Sequence, residues 1–116
     1  MSTIKVNAFQ DTSGSGFYPA RAWVNFNGTG TVAIRADGNV SSITDNGTGD
    51  YSVTLTNNFG DTNGSITYSG RRSPTLTWLS YWQQIYQEAN ASIRVRVGTA
   101  GTGISDHDII SINMIR

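Results

Sequence analysis

Apolar and polar residues alternate with a period of two along most of this chain. Ala20, Ala22, Val24 and Phe26 fall on one face of an extended segment, and Arg21, Trp23 and Asn25 fall on the other. That is the pattern of a half-buried strand. The sequence NGTG then turns the chain, and Val32, Ile34 and Ala36 resume the alternation against Thr31, Ala33 and Arg35. ADGN supplies the positive backbone angles of a tight turn, with a return strand expected over Val40 to Thr44. After DNGTGD, Tyr51, Val53 and Leu55 alternate with Ser52, Thr54 and Thr56, so that four strands are expected to form a meander by residue 56. Ile66 and Tyr68 mark a short fifth strand.

From Thr75 onward the period is ambiguous. Leu76 and Trp78 alternate as in a strand, whereas Leu79, Trp82, Tyr86 and Ala89 recur at helical spacing. The pattern favours a strand through Trp82 and leaves residues 80–89 open between strand and helical turn. Ile93, Val95 and Val97 alternate against Arg94 and Arg96, and the last strand runs from Asp108 to Ile115. It carries Ile110, Ile112 and Met114 on one face, with Ile109 and Ile115 on the other. A strand apolar on both faces is usually covered on both. Either it lies centrally in a sandwich, or Ile109 and Ile115 meet another subunit.

These segments predict an all-β domain, an antiparallel β-sandwich or jelly-roll-like fold, over residues 20–116. Residues 1–19 stand apart: Ile4, Val6 and Phe9 suggest an edge strand or arm, and the Ser/Gly run after them a flexible join.

Composition narrows the function. The chain has 116 residues, enough for one core. Eight Lys plus Arg balance eight Asp plus Glu, so no net field draws it to nucleic acid or an acidic membrane surface. There is no cysteine, hence no disulfide, thiolate nucleophile or thiolate ligand. No apolar run reaches the roughly 18 residues of a membrane span, and no signal sequence is seen.

The candidate chemistry is sparse. His107 is the sole histidine and sits between Asp106 and Asp108. If the last strand begins this early, the two aspartates share one face and the histidine takes the other, so the three do not converge on one ion. In a turn they could, and oligomer symmetry could gather three copies on an axis, but a polar turn opening the last strand is the expectation. DTNGS at 61–65 and DNGTGD at 45–50 look faintly like calcium loops but lack EF-hand spacing. The Gly-Thr-Gly triplets match no phosphate-binding loop, and no elbow motif orders a serine nucleophile. The expectation is therefore a non-enzymatic protein with no metal and no cofactor. Recognition, where it occurs, falls to the aromatics Trp78, Tyr81, Trp82 and Tyr86, which stack on sugars, anchor protein contacts or fill the core.

ARAWVNFNGTGTVAIRADGNVSSITDNGTGDYSVTLT, residues 20–56, resembles a segment that recurs in virion proteins of tailed bacteriophages, especially short-tailed phages of marine bacteria and cyanobacteria. There it belongs to tail-fibre tip domains and related decoration proteins. IKVNAFQDTSGSG, SIRVRV and DHDIISINMIR are similar to the lead-in and closing strands of such domains. The resemblance implies a virion component, assembled in the host cytoplasm as a homotrimer, that contacts capsid or tail proteins. On that footing the expected role is structural, as capsid decoration or a fibre tip. The alternative is a receptor-recognition domain that binds a host surface glycan. A chain of this length lacks room for a tail anchor and shaft, which favours a decoration or knob-like protein. WLSYWQQIYQEANA departs from the family pattern.

Overall fold

The computed structural model describes residues 2–16, 19–72, 81–101 and 103–115. Among them the strands are β1 (Ala22–Asn27), β2 (Ala33–Gly38), β3 (Val40–Gly47), β4 (Asp50–Leu55), β5 (Ser65–Arg71), β6 (Tyr81–Ala89), β7 (Ser92–Thr99), β8 (Gly103–Ile104) and β9 (Ile109–Ile115), and there is no helix. They form two antiparallel sheets, β2-β1-β9-β5 and β3-β4-β7-β6, with the short β8 also paired to β7. The all-β sandwich expected from the alternation is what the chain adopts.

The sheets bury their apolar faces against each other. Ala22, Val24 and Phe26 of β1 and Ile110, Ile112 and Met114 of β9 meet Tyr51, Val53 and Leu55 of β4 and Ile93, Val95 and Val97 of β7. Phe26 packs edge-on to Tyr51, with ring centroids 5.3 Å apart. Each large side chain removed from water in this way contributes roughly 1.5–3 kcal/mol.

The first four strands do not form one meander. β1 pairs with β2 in one sheet, and β3 pairs with β4 in the other. The chain changes sheets at Asn39, so Asp37-Gly38-Asn39 is a corner and not a hairpin turn. Folding the second hairpin over the first brings the Val24/Phe26 face onto the Tyr51/Val53 face, which a flat meander leaves in water. Asn39 has φ 60°, the left-handed region. Its Nδ2 donates to the carbonyls of Arg21 and Asn57 at 3.1 and 3.0 Å, and its Oδ1 accepts from Asn57 N–H at 2.7 Å.

Residues 81–89 are strand, with no helical turn. β6 pairs with β7 from Tyr81↔Thr99 to Ala89↔Ser92. The 3.6-like recurrence of Trp82 and Tyr86 is two aromatics on the outward face of an edge strand. Residues 73–80, including Trp78, lie outside the described residues. β9 is central in its sheet, between β1 and β5, and Ile115 is still 41% exposed on the outward face while Ile109 is half-buried.

Residues 2–9 belong to neither sheet, in place of the edge strand suggested by Ile4 and Val6. The Ser/Gly run that follows carries local hydrogen bonds centred on Asp11. Asp11 Oδ1 accepts from Ser13 N–H at 2.8 Å, Ser13 Oγ at 2.6 Å and Ser15 N–H at 3.0 Å, and Gln10 and Gly16 form an isolated bridge. Those donors hold the Asp11 carboxyl below its ordinary range.

Candidate functional site

Segment 105–108, which leads into β9, holds the ligand-type cluster of the sequence, and its side chains diverge. Asp106 Oδ1 accepts from Gly49 N–H at 2.7 Å and from the Tyr51 hydroxyl at 2.9 Å. That hydroxyl also lies 2.7 Å from the Gly28 carbonyl, to which it donates. Burial, with the Asp106 carboxylate second, pushes the Tyr51 phenol well above its ordinary pKa. Asp106 is thus a latch that ties the β3–β4 turn and Tyr51 to the segment leading into β9.

His107 points the other way, into the interior, and is fully buried. Its Nδ1 shares a 2.9 Å hydrogen bond with the Tyr68 hydroxyl, and its ring meets Tyr81 edge-on at 5.2 Å. Among the described residues Nε2 has no hydrogen-bond partner. Burial and the Arg72 charge lower the imidazole pKa, against weaker opposing effects of Asp108, Asp106 and the Gly98 carbonyl. Burial also pushes the Tyr68 phenol up to about 12.

Asp108 turns outward. Its carboxylate lies 3.3 Å from Arg71 Nε, and Arg35 Nη2 donates to its carbonyl at 2.6 Å. The two aspartates and the histidine therefore serve three different contacts. Among the described residues no group of three acidic, His or Cys side chains is placed to hold a metal ion. In the two calcium-like loops, Asp45 Oδ1 accepts from Gly47 N–H and Asp61 Oδ1 from Asn63 N–H, each at 3.0 Å. These are local turns made by Asx side chains.

The outward face of sheet β3-β4-β7-β6 is more distinctive. Alternation along β6 sends Trp82, Gln84, Tyr86 and Glu88 outward, opposite Gly98, Arg96 and Arg94 of β7. β4 adds Asp50 and Ser52 beside Arg96 and Arg94. Arg94 clasps Asp50 bidentately, Nε at 2.6 Å and Nη2 at 2.9 Å, and reaches Glu88 at 3.4 Å. That clasp holds the Asp50 carboxyl below its ordinary pKa. Arg96 Nε lies 3.5 Å from Asp50, and its Nη1 lies 3.5 Å from Gln84 Oε1.

Trp82 is laid over Gly98, where a Cβ would collide with the indole and with the Gly103 carbonyl. The glycine is what lets the ring lie flat against the sheet. Tyr86 is 39% exposed. With a strand rise near 3.3 Å, the two aromatics stand about 13 Å apart along β6 with an amide between them.

Of the aromatics singled out from the sequence, the structure places Trp82 and Tyr86 together on this face and turns Tyr81 inward onto His107. Gln84, Arg94, Arg96 and Asp50 complete the face and were not singled out as contact residues. The outward row Arg94/Arg96 is legible against Ile93, Val95 and Val97, but its partner Asp50 is 44 positions away. Comparisons with protein-family models, curated proteins and solved structures give no match.

Proposed function

We propose that this protein is a non-enzymatic, homotrimeric surface domain of a tailed-phage virion, on the capsid or at a fibre tip. It acts by contact, laying the β4–β7–β6 face on a host surface glycan. The virion part rests on the resemblance of residues 20–56. The contact part rests on one observation: Trp82 and Tyr86 share an outward strand face with Gln84 between them and a charge-balanced lattice of Arg94, Arg96, Asp50 and Glu88 alongside.

The chemistry suits a sugar chain. Aromatic rings cover the apolar C–H faces of pyranosides at low entropic cost, while amide and guanidinium groups take the hydroxyls. Asp50 and Glu88 offset Arg94 and Arg96, so the face has no strong preference for an anionic polymer.

Two measurements test this reading. Gold-labelled antibody against the protein is expected to decorate phage particles in electron micrographs, and particles left unlabelled overturn the virion assignment. A host-glycan array is expected to return a ligand whose binding is lost in Trp82→Ala/Tyr86→Ala. Binding unaffected by that pair, or no binding at all, overturns the contact face.

A further inference from the structure

The two lateral openings of the sandwich are finished differently. Between β5 and β6 the gap is laced shut. Gln87 Nε2 donates to the Asp61 carbonyl at 2.6 Å, Gly64 N–H donates to Gln87 Oε1 at 3.2 Å, and Tyr68 and Tyr81 both meet His107. Between β2 and β3 the described polar ties gather at the Asn39 corner. Beyond it, Val32, Ile34 and Ile43 pack on the core with part of their surface left in water.

β3 is also an unguarded edge. It is the outermost strand of its sheet, its sequence VSSITDNG has no Lys, Arg or Pro, and its bulges sit only near its two ends. Such an edge is an open template for another strand. β2, across the opening, breaks its own edge with a bulge in its middle, and Arg35 there reaches back to Asn25.

The N-terminal arm has the complementary character. Ile4 is 81% exposed, Val6 52% and Phe9 55%, on a segment in neither sheet that alternates apolar with polar and contains no proline. The hydrogen bonds centred on Asp11 fix the arm's base.

We propose that residues 3–9 of one copy add as a strand to the free edge of β3 in a second copy, seating Ile4 and Val6 on Ile34 and Ile43. Adding a strand there supplies partners for the backbone groups of both segments and buries the exposed apolar rows together. The contact is head-to-tail, arm to edge, so repeated donation builds a ring where the rotation between copies closes and an open filament where it does not.

Light scattering on the full chain tests it, with no particle or glycan needed. The unaltered protein is expected to self-associate. Ile4→Ser/Val6→Ser is expected to weaken that association at least about tenfold without changing the unfolding midpoint of the monomer. A chain that stays monomeric overturns the proposal. Association indifferent to Ile4→Ser/Val6→Ser overturns it too, while leaving the homotrimer of the proposed function to rest on another surface.

Discussion

Asn39 Oδ1 accepts a hydrogen bond from the backbone N–H of Asn57 at 2.7 Å, pinning the corner where the chain leaves one sheet for the other to the end of β4. Among the described residues Asn39 is the one non-glycine at positive φ. Replacement by Gly keeps the backbone angle and loses the side-chain bonds; Ala loses both. Urea unfolding is expected to show Asn39→Gly less stable by about 1–2 kcal/mol and Asn39→Ala by about 2–4 kcal/mol. Equal losses in the two variants contradict a role for the left-handed angle.

Trp82 and Gly98 form a second such pair, across β6 and β7. Gly98→Ala puts a methyl group against both the indole and the Gly103 backbone. A loss of about 1–3 kcal/mol is expected, together with a red-shifted tryptophan emission as the ring is lifted into water. A variant with native stability and emission shows that the ring does not need the glycine.

The Tyr51 hydroxyl donates within reach of two acceptors, the Gly28 carbonyl and Asp106. Tyr51→Phe keeps the ring packed on Phe26 and leaves the buried carbonyl without that donor. The expected cost is about 1–3 kcal/mol by chemical denaturation. A neutral result means that water replaces the hydroxyl.

His107 sets an acid limit. Burial and Arg72 lower its pKa in the folded state, so below the ordinary imidazole value of about 6.5 the unfolded chain binds more protons than the folded one. Stability is therefore present above that pH and falls as pH drops toward 5. The facing groups are Tyr68, Tyr81, Arg72, Asp106 and Asp108. Asp50 and Asp11, whose carboxyls are held low, give up their share only below about pH 4. Unfolding free energies measured from pH 7 to 5 are expected to slope for the native protein and to flatten in His107→Gln. An equal slope in the variant assigns the effect elsewhere.

Much of this protein is determined by its sequence alone, because strand period and turn chemistry are local. Val24/Phe26, Tyr51/Val53/Leu55 and Ile110/Ile112/Met114 declare their inward faces at spacing two, and each is found in the core. The parting of Asp106 from Asp108 is not alternation, which places both on one face: β9 begins only at Ile109, and the non-strand segment before it sends Asp106 to Gly49 and Asp108 to Arg71. Tertiary structure decided what depends on distant partners. Nothing near Asp37-Gly38 says whether the chain turns back within a sheet or crosses to the other; the need to bury two apolar faces together decides it, and Asn57 supplies the pin. Residues 81–89 read ambiguously because β6 is an edge strand: Ile85 is the one aliphatic side chain on its inward face, Tyr81 turns inward, and Trp82 and Tyr86 face outward over Gly98 and beside Arg94. Pairing with β7 resolves that ambiguity through backbone hydrogen bonds, which side-chain periodicity does not encode.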